Sequence, residues 1–209
     1  MAKFLQEYSY WNMHPFLFHI FKDYSKINDT ILDVGSWSWG WGKRLLDDWY
    51  KDIYLIDWFL EPDITFKNFI KSDFTKELPY QDGQFDIITN IEVIEHVENQ
   101  YLLIKEMLRC LKKWWYIMLS TPNIDTLVWK ILFFMSWNLI WFLKKDGVFN
   151  EFPMHINAFY LPSILAYFDG KIELVETRYS IWKFPFTWWE IPIKNKYFWN
   201  TVVYIFKKI

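Results

Sequence analysis

The chain has 209 residues, with 23 Lys and Arg against 25 Asp and Glu, a net charge of -2 at pH 7 and a single cysteine. This length suits one α/β domain, and the charge shows no basic surplus of the kind that dominates affinity for nucleic acid, so we expect no nucleic-acid partner. The lone Cys110 excludes an intrachain disulfide framework. Together with opening residues that lack the apolar core of a signal peptide, it predicts a reducing, cytoplasmic location.

Strand and helix patterns alternate along the chain from residue 30. The predicted strands are 30–34, 52–57, 85–90 and 116–123, and the predicted helices are 40–48, 97–113 and 161–168. Short connections and nearly continuous apolar strand cores favour a parallel sheet covered by helices on both faces. Two late strands, 171–180 and 200–208, have no helical pattern between residues 181 and 198, which predicts that they pair antiparallel.

The most apolar run of the chain is "LVWKILFFMSWNLIWFL", residues 127–143. Because it includes Lys130 and is shorter than the roughly 20 residues that a spanning helix needs, we predict a buried or interfacial lid helix. Membrane contact is the alternative that this run leaves open.

Tryptophan is in excess and glycine is scarce. The chain has 15 Trp and 6 Gly, and a glycine content of about 3% compares with roughly 7% in ordinary proteins. Trp49 and Trp114 each follow the end of a helical pattern, where a left-handed residue is common, and Gly170 takes such a position after "AYFD". Trp37 and Trp39 alternate with Gly35 in a strand-to-helix turn, and Trp58 follows the second strand.

These positions lead to a hypothesis about translation. Many of the tryptophans, with Trp41 and Trp11 as candidate exceptions, would be glycines encoded by UGA and read here as Trp under a different genetic code. The alternative is that the indoles are real. Because an indole buries roughly 150–250 Å², Trp37 and Trp39 would then fill the loop and leave a non-catalytic scaffold that binds a partner.

With Trp read as Gly, "ILDVGSWSWGWG" resembles the first motif of class I S-adenosylmethionine-dependent methyltransferases, D-x-G-x-G-x-G. It also fits the dinucleotide fingerprint G-x-G-x-x-G through Gly35, Trp37 and Gly40, so a nicotinamide-dependent oxidoreductase stays an alternative. The later runs "KSDFTKELPYQDGQFDIITNIEVIEHVEN" and "LKKWWYIMLSTPN" are similar to methyltransferase motifs in the same order. "IEVIEHVEN" and "STPN" have no role in the oxidoreductase interpretation.

The resemblance implies a fold, a cofactor and a set of site residues. The fold is a Rossmann-like, seven-stranded, mostly parallel sheet with helices on both faces and an antiparallel last strand. The cofactor is S-adenosylmethionine. The implied contacts are Asp33, Gly35, Ser36, Trp37, Trp39 and Gly40 for its methionine part, Asp57 for the ribose with Trp58 beside it, Asp73 and Phe74 for the adenine, and Asn90 and Glu92 near the sulfonium.

We expect a single domain, 1–209, with four segments. These are an N-terminal helical lid (1–29), a cofactor-binding core (30–123), an apolar acceptor or lid region (124–170) and a C-terminal strand pair (171–209).

Several of these residues have ordinary structural alternatives. Asp33 could cap a turn, Asp57 could be a strand-end acid, and Asp73 could cap a helix. Glu95 and His96 could form a surface pair at a helix start. The order of the whole set along the chain is the stronger evidence for a cofactor site.

Methyl transfer from a sulfonium is an in-line displacement that depends on alignment of the acceptor and requires no metal. His96 and His155 are candidates for a base or acceptor orienter, because their ordinary pKa suits proton transfer near neutral pH. We predict a small-molecule acceptor, and the aromatic region 124–160 leaves a hydrophobic or lipid-linked acceptor open, although packing against the sheet also explains it. The sequence makes no prediction of oligomeric state.

Overall fold

The computed structural model describes residues 13–36, 40–58, 66–136, 155–180 and 201–209. Its elements in chain order are α1 (Met13–Tyr24), β1 (Ile31–Val34), α2 (Gly40–Asp47), β2 (Ile53–Asp57), β3 (Asn68–Lys71), β4 (Phe85–Ile91), a 3₁₀ turn (Ile94–His96), α3 (Gln100–Cys110), β5 (Leu111–Pro122), α4 (Leu127–Ser136), α5 (Leu161–Tyr167), β6 (Ile172–Tyr179) and β7 (Thr201–Lys208). Trp11, Trp37, Trp39, the second half of the apolar run and the 181–198 connection lie outside the described residues.

The seven strands form one sheet in the order β3-β2-β1-β4-β5-β7-β6. Neighbouring strands from β3 to β5 pair in parallel, and β7 pairs antiparallel with both β5 and β6. The predicted Rossmann-like sheet, mostly parallel with an antiparallel last strand, is therefore confirmed. The strand order reverses between β1 and β4, which leaves a crevice outside their carboxyl ends.

Helices cover both faces of the sheet, as the apolar strand cores predict. Because successive side chains of a strand point to opposite faces, Ile31 packs with the buried residues of α1 and α2, whereas Leu32 and Val34 pack with those of α3 and α5. α1 buries Leu17 and Phe21 in the first of these clusters. The role of residues 1–29 as a lid stays a prediction.

Two boundaries differ from the sequence patterns for local reasons. The helix predicted at 97–113 is shorter because the Asn99 side chain caps its start, accepting the Leu102 N–H at 3.0 Å, and because Leu111 is already extended. β5 consequently begins at Leu111 instead of residue 116. β3 has no fully buried residue, so its pattern contains no apolar core to recognise.

α4 places apolar side chains at the surface. Of its described side chains, those of Leu127, Ile131, Phe133, Phe134 and Met135 are exposed, with Phe134 78% exposed. The described part of the apolar run, residues 127–136, is therefore not a fully buried helix, and packing against the sheet does not account for its exposed side chains, although Phe159 is buried as that explanation expects. Within the described ranges, every helix is too short or too polar to cross a membrane.

Candidate functional site

The predicted cofactor residues gather at the carboxyl ends of β1, β2 and β4. Asp33 in β1 lies opposite Leu55 of β2 and Thr89 of β4, and Asp57 ends β2. Both acids are almost fully buried, at 2% and 4% exposure. Since the sheet changes strand order at this point, the arrangement places two carboxylates at the crevice where α/β sheets bind ligands.

The loop after β1 has a backbone conformation that requires glycine at its first residue. Gly35 has φ 81°, and a Cβ atom there would lie 2.5 Å from Cγ2 of Val93. The N–H groups of Gly35 and Ser36 both donate to the Ile56 carbonyl, at 2.9 and 3.3 Å. The loop is thereby held between the end of β2 and the segment that follows β4. Gly40 begins α2 directly beyond it.

Burial controls the charge of Asp33. It raises the pKa of this carboxyl to about 7, and the neighbouring Asp57 acts in the same direction. The Thr89 hydroxyl opposes the shift by donating to Asp33 Oδ1 at 2.7 Å. A cation bound beside Asp33 would therefore favour its ionised form.

Two polar residues lie at the carboxyl end of β4, near the same crevice: Asn90 within the strand and Glu92 just after it. Asn90 is fully buried and donates from Nδ2 to the Val34 carbonyl at 3.0 Å, while its Oδ1 has no hydrogen-bond partner among the described residues. Glu92 has φ 54° and accepts the Ser120 hydroxyl at 2.9 Å. Burial raises the pKa of Glu92 to about 7. Asn90 thus offers a buried acceptor to a ligand.

The predicted adenine contacts are engaged within the protein. Asp73 accepts the Thr75 N–H at 3.0 Å and pairs with Lys76 Nζ at 3.1 Å, and the Thr75 hydrogen bonds are the main cause of its lowered pKa. The residues that follow form a turn, so the alternative of a helix cap is wrong. Phe74 packs in the core at 8% exposure, whereas Trp58 is 48% exposed.

The surface-pair alternative for Glu95 and His96 is also wrong, because Glu95 is completely buried. One donor atom each from Glu95, His96 and His155 lie within 4.8 Å of one another, an arrangement that could hold a metal ion. Burial lowers the pKa of His155 to about 4, and the nearby His96 adds to the shift. His155 is therefore neutral at pH 7 and a weaker proton acceptor than an ordinary histidine.

Sequence patterns missed the hydroxyls that organise this site. Thr89, Ser120 and Thr121 hydrogen-bond Asp33, Glu92 and Glu95, respectively. Each contact joins a strand residue to a residue in, or shortly after, a neighbouring strand, so all three depend on the register of the sheet. The only signal in the sequence is a polar residue inside an otherwise apolar strand.

The strand order, the antiparallel β7 and the acids at the ends of β1 and β2 define a Rossmann-like α/β protein of the class I methyltransferase type. The sequence matches the family model described as a methyltransferase domain over residues 12–166, about three quarters of the chain. The chain therefore belongs to this methyltransferase family.

Solved structures share the fold at low sequence identity. An S-adenosylmethionine-dependent methyltransferase from Methanosarcina mazei is 20% identical, with a TM-score of 0.63 over 91% of this chain and 97% of that one. The PH0226 protein of Pyrococcus horikoshii OT3 is 15% identical, with a TM-score of 0.64 over 98% and 93% of the two chains. The comparison with curated protein sequences found no match to this chain.

A third structure comes from a complex between the Haloferax volcanii Trm112 methyltransferase activator and a methyltransferase. It is 15% identical, with a TM-score of 0.55 over 86% of this chain and 82% of that one.

Proposed function

We propose that this protein transfers a methyl group from S-adenosylmethionine to a small-molecule acceptor. The observation that carries the proposal is that Asp33, the Gly35 loop and Asn90 lie together at the crevice of a methyltransferase fold. The family match and the donor used by the Methanosarcina mazei relative both support it.

The residues at the crevice fit this donor. The positively charged amino group of its methionine part would be stabilised by the Asp33 carboxylate and by the unsatisfied Oδ1 of Asn90. Asp57, on the neighbouring strand, would accept the ribose hydroxyls, as acids at this position do in related folds. An adenine contact from Asp73 would compete with Lys76, which pairs with the same carboxylate.

The donor supplies a methyl carbon that its sulfonium already activates, so the protein contributes mainly alignment. The Gly35 loop and Asn90 would hold the methyl donor, and the residues after β4 would hold the acceptor. We assign His96 and His155 to the acceptor side, where neutral His155 orients the acceptor more readily than it removes a proton. The exposed apolar side chains of α4 support a hydrophobic or lipid-linked acceptor.

We infer that many tryptophans stand for glycine. Trp49 and Trp114 have φ 74° and 73°, values that are costly for any residue with a Cβ atom, and their indoles are 76% and 54% exposed. Trp41 differs, because it is 3% exposed and its ring lies 5.5 Å from that of Phe21. We therefore keep Trp41 as a tryptophan in this inference, and sequencing the codons at 37, 39, 49, 58, 114 and 115 tests it, with TGG at all of them contradicting it.

Binding experiments separate the possible functions. The chain as written and a Trp37→Gly, Trp39→Gly variant are titrated with S-adenosylmethionine and with NADH, and Trp49→Gly serves as the control outside the loop. The double variant is expected to bind S-adenosylmethionine about tenfold or more tightly than the other two proteins. Equal tight binding by all three contradicts the steric argument. Binding of NADH alone indicates an oxidoreductase, and binding of neither ligand indicates a scaffold.

A further inference from the structure

Three side chains with metal-ligating atoms meet where β4 leaves the sheet. Glu95 and His96 lie on the 3₁₀ turn after β4, and His155 comes from a distant segment before α5. One donor atom of each lies within 4.8 Å of the others. Two imidazoles and one carboxylate form a donor set that suits divalent transition ions.

The backbone holds this cluster together. The N–H groups of Ile156 and Asn157 donate to the Glu95 carbonyl at 2.9 and 3.1 Å. The Asn157 side chain donates to the carbonyls of Val97 and Glu98 at 2.8 and 3.0 Å. Since His155 immediately precedes this clamp, its position relative to Glu95 is set by main-chain hydrogen bonds.

Glu95 itself points to a ligand. The side chain has 0% exposure, and its Oε2 accepts the Thr121 hydroxyl at 3.1 Å, whereas Oε1 has no hydrogen-bond partner among the residues that the structure describes. Nε2 of His155 is 3.8 Å away, beyond hydrogen-bond distance. A buried carboxylate oxygen without a partner is costly, and a cation between Glu95 and the two histidines would satisfy it.

We propose that Glu95, His96 and His155 bind one divalent transition-metal ion, and that this ion holds a hydroxyl group of the methyl acceptor. The second half rests on the proposed function. Ligand bonds of about 2.0–2.2 Å place donor atoms roughly 3–4 Å apart, so small side-chain rotations close the observed cluster around an ion. Methyl transfer alone requires no metal, so the ion is an addition to what the sequence predicts.

The chemistry of the metal selects an oxygen acceptor. A hydroxyl bound to a divalent ion loses its proton to water more readily, because the ion stabilises the resulting anion. That oxygen keeps a further lone pair, which attacks the methyl carbon. The O–CH₃ bond forms as the S–CH₃ bond breaks, and the electron pair of the broken bond stays on sulfur. An amine bound to the ion has no second lone pair for the attack.

Cobalt binding tests the site directly. Protein freed of metal with a chelator is titrated with Co²⁺, and the visible absorption of the bound ion is followed. We expect one equivalent to bind, with about tenfold or greater weakening in both Glu95→Gln and His155→Gln. His19→Gln, which changes an exposed histidine of α1, is the control and is expected to bind like the unchanged protein. Thermal melting of each variant verifies that it is folded.

The outcomes separate the two halves of the proposal. No Co²⁺ absorption, or absorption that a folded His155→Gln variant retains, overturns the metal site. Addition of phenol as a hydroxyl probe should change the absorption of bound Co²⁺, and an unchanged spectrum overturns the acceptor role and leaves a structural ion. If the Trp37→Gly, Trp39→Gly variant binds Co²⁺ but does not bind S-adenosylmethionine, the metal site stands and the proposed function is overturned.

Discussion

Trp49 and Trp41 are close in sequence but lie in opposite environments. Trp49 follows α2 in a Schellman motif, in which its N–H donates to the Leu46 carbonyl at 3.0 Å and the Tyr50 N–H donates to the Leu45 carbonyl at 3.1 Å. This motif needs a left-handed residue at the position of Trp49. Trp41 instead packs its indole against the aromatic rings of α1.

Replacement of these two residues by glycine should have effects of opposite sign. Trp49→Gly is expected to stabilise the protein by about 1 kcal/mol, because it removes the strain of a left-handed residue with a Cβ atom. Trp41→Gly is expected to destabilise it by about 3–5 kcal/mol through a cavity in the core. Urea unfolding of both variants measures the changes. A destabilising Trp49→Gly would contradict the assignment of that position to glycine.

Gly35 offers a second test at the level of single residues. Gly35→Ala adds a Cβ atom 2.5 Å from the Val93 side chain at a left-handed position, so we expect a loss of about 2–4 kcal/mol in unfolding free energy. Gly170→Ala is the matched control: its φ is 69° with no atom within 4 Å of the added Cβ, so only about 1 kcal/mol is expected. Equal losses in the two variants would show that the Val93 contact is unimportant.

A second substitution separates the two causes of the stability loss in Gly35→Ala. Val93→Ala in the Gly35→Ala background should recover the part of the loss that comes from the contact, but not the part that comes from the backbone conformation.

At the scale of elements, a charged network joins α3 to the connection before β4. Arg109 donates to the carbonyls of Leu78 and Tyr80 at 2.9 and 2.8 Å, and its guanidinium pairs with the buried Glu106 at 2.8 Å. Glu106 also accepts the Leu78 N–H at 3.1 Å. Through these hydrogen bonds α3 holds the connection in place.

Replacing the guanidinium should loosen that connection. Arg109→Lys keeps the charge but loses the planar fork that reaches two carbonyls and a carboxylate, so we expect a destabilisation of about 2 kcal/mol by urea unfolding. Lys43→Ala breaks the exposed pair with Asp47 in α2 and should change stability by less than about 0.5 kcal/mol. Similar small effects for both would place the Arg109 contacts among ordinary surface pairs.

At the scale of the whole molecule, Asp33 links stability to pH. Its folded pKa of about 7 is above the value of about 3.9 for an unfolded chain, so the folded state binds the proton more tightly. The stability that protonated Asp33 allows is present below about pH 4 and is lost as pH rises toward 7. As pH rises across this range, the unfolding free energy of Asp33→Asn should increase by on the order of 3 kcal/mol relative to that of the unchanged protein.

Chemical unfolding at several pH values measures this gain. The control is Asp47→Asn, which changes an exposed carboxylate, and its stability curve should run parallel to that of the unchanged protein. A constant difference between Asp33→Asn and the unchanged protein would show that Asp33 keeps an ordinary pKa.

The sequence patterns predicted most of the fold because strand and helix periodicities are local. β1, β2 and β4 appear as apolar runs bounded by turn residues, and their bounds agree with the patterns to within a residue. β3 has no buried side chain, and the start of α3 depends on one capping hydrogen bond at Asn99, so neither has an apolar pattern to reveal it. The candidate cofactor residues came from the family resemblance, because the motifs that carry it stand in the same order along this chain.

The sequence alone determined the α/β class, the residues at the strand ends and the family of this protein, because each depends on the order of side chains along the chain. The tertiary structure decided which residues share an environment. It buried Glu95, brought His155 to His96, and set the Thr89 hydroxyl against Asp33. These relations depend on strand register and on a clamp between distant segments, and burial changes the charge of a carboxylate or histidine only after the chain has folded around it.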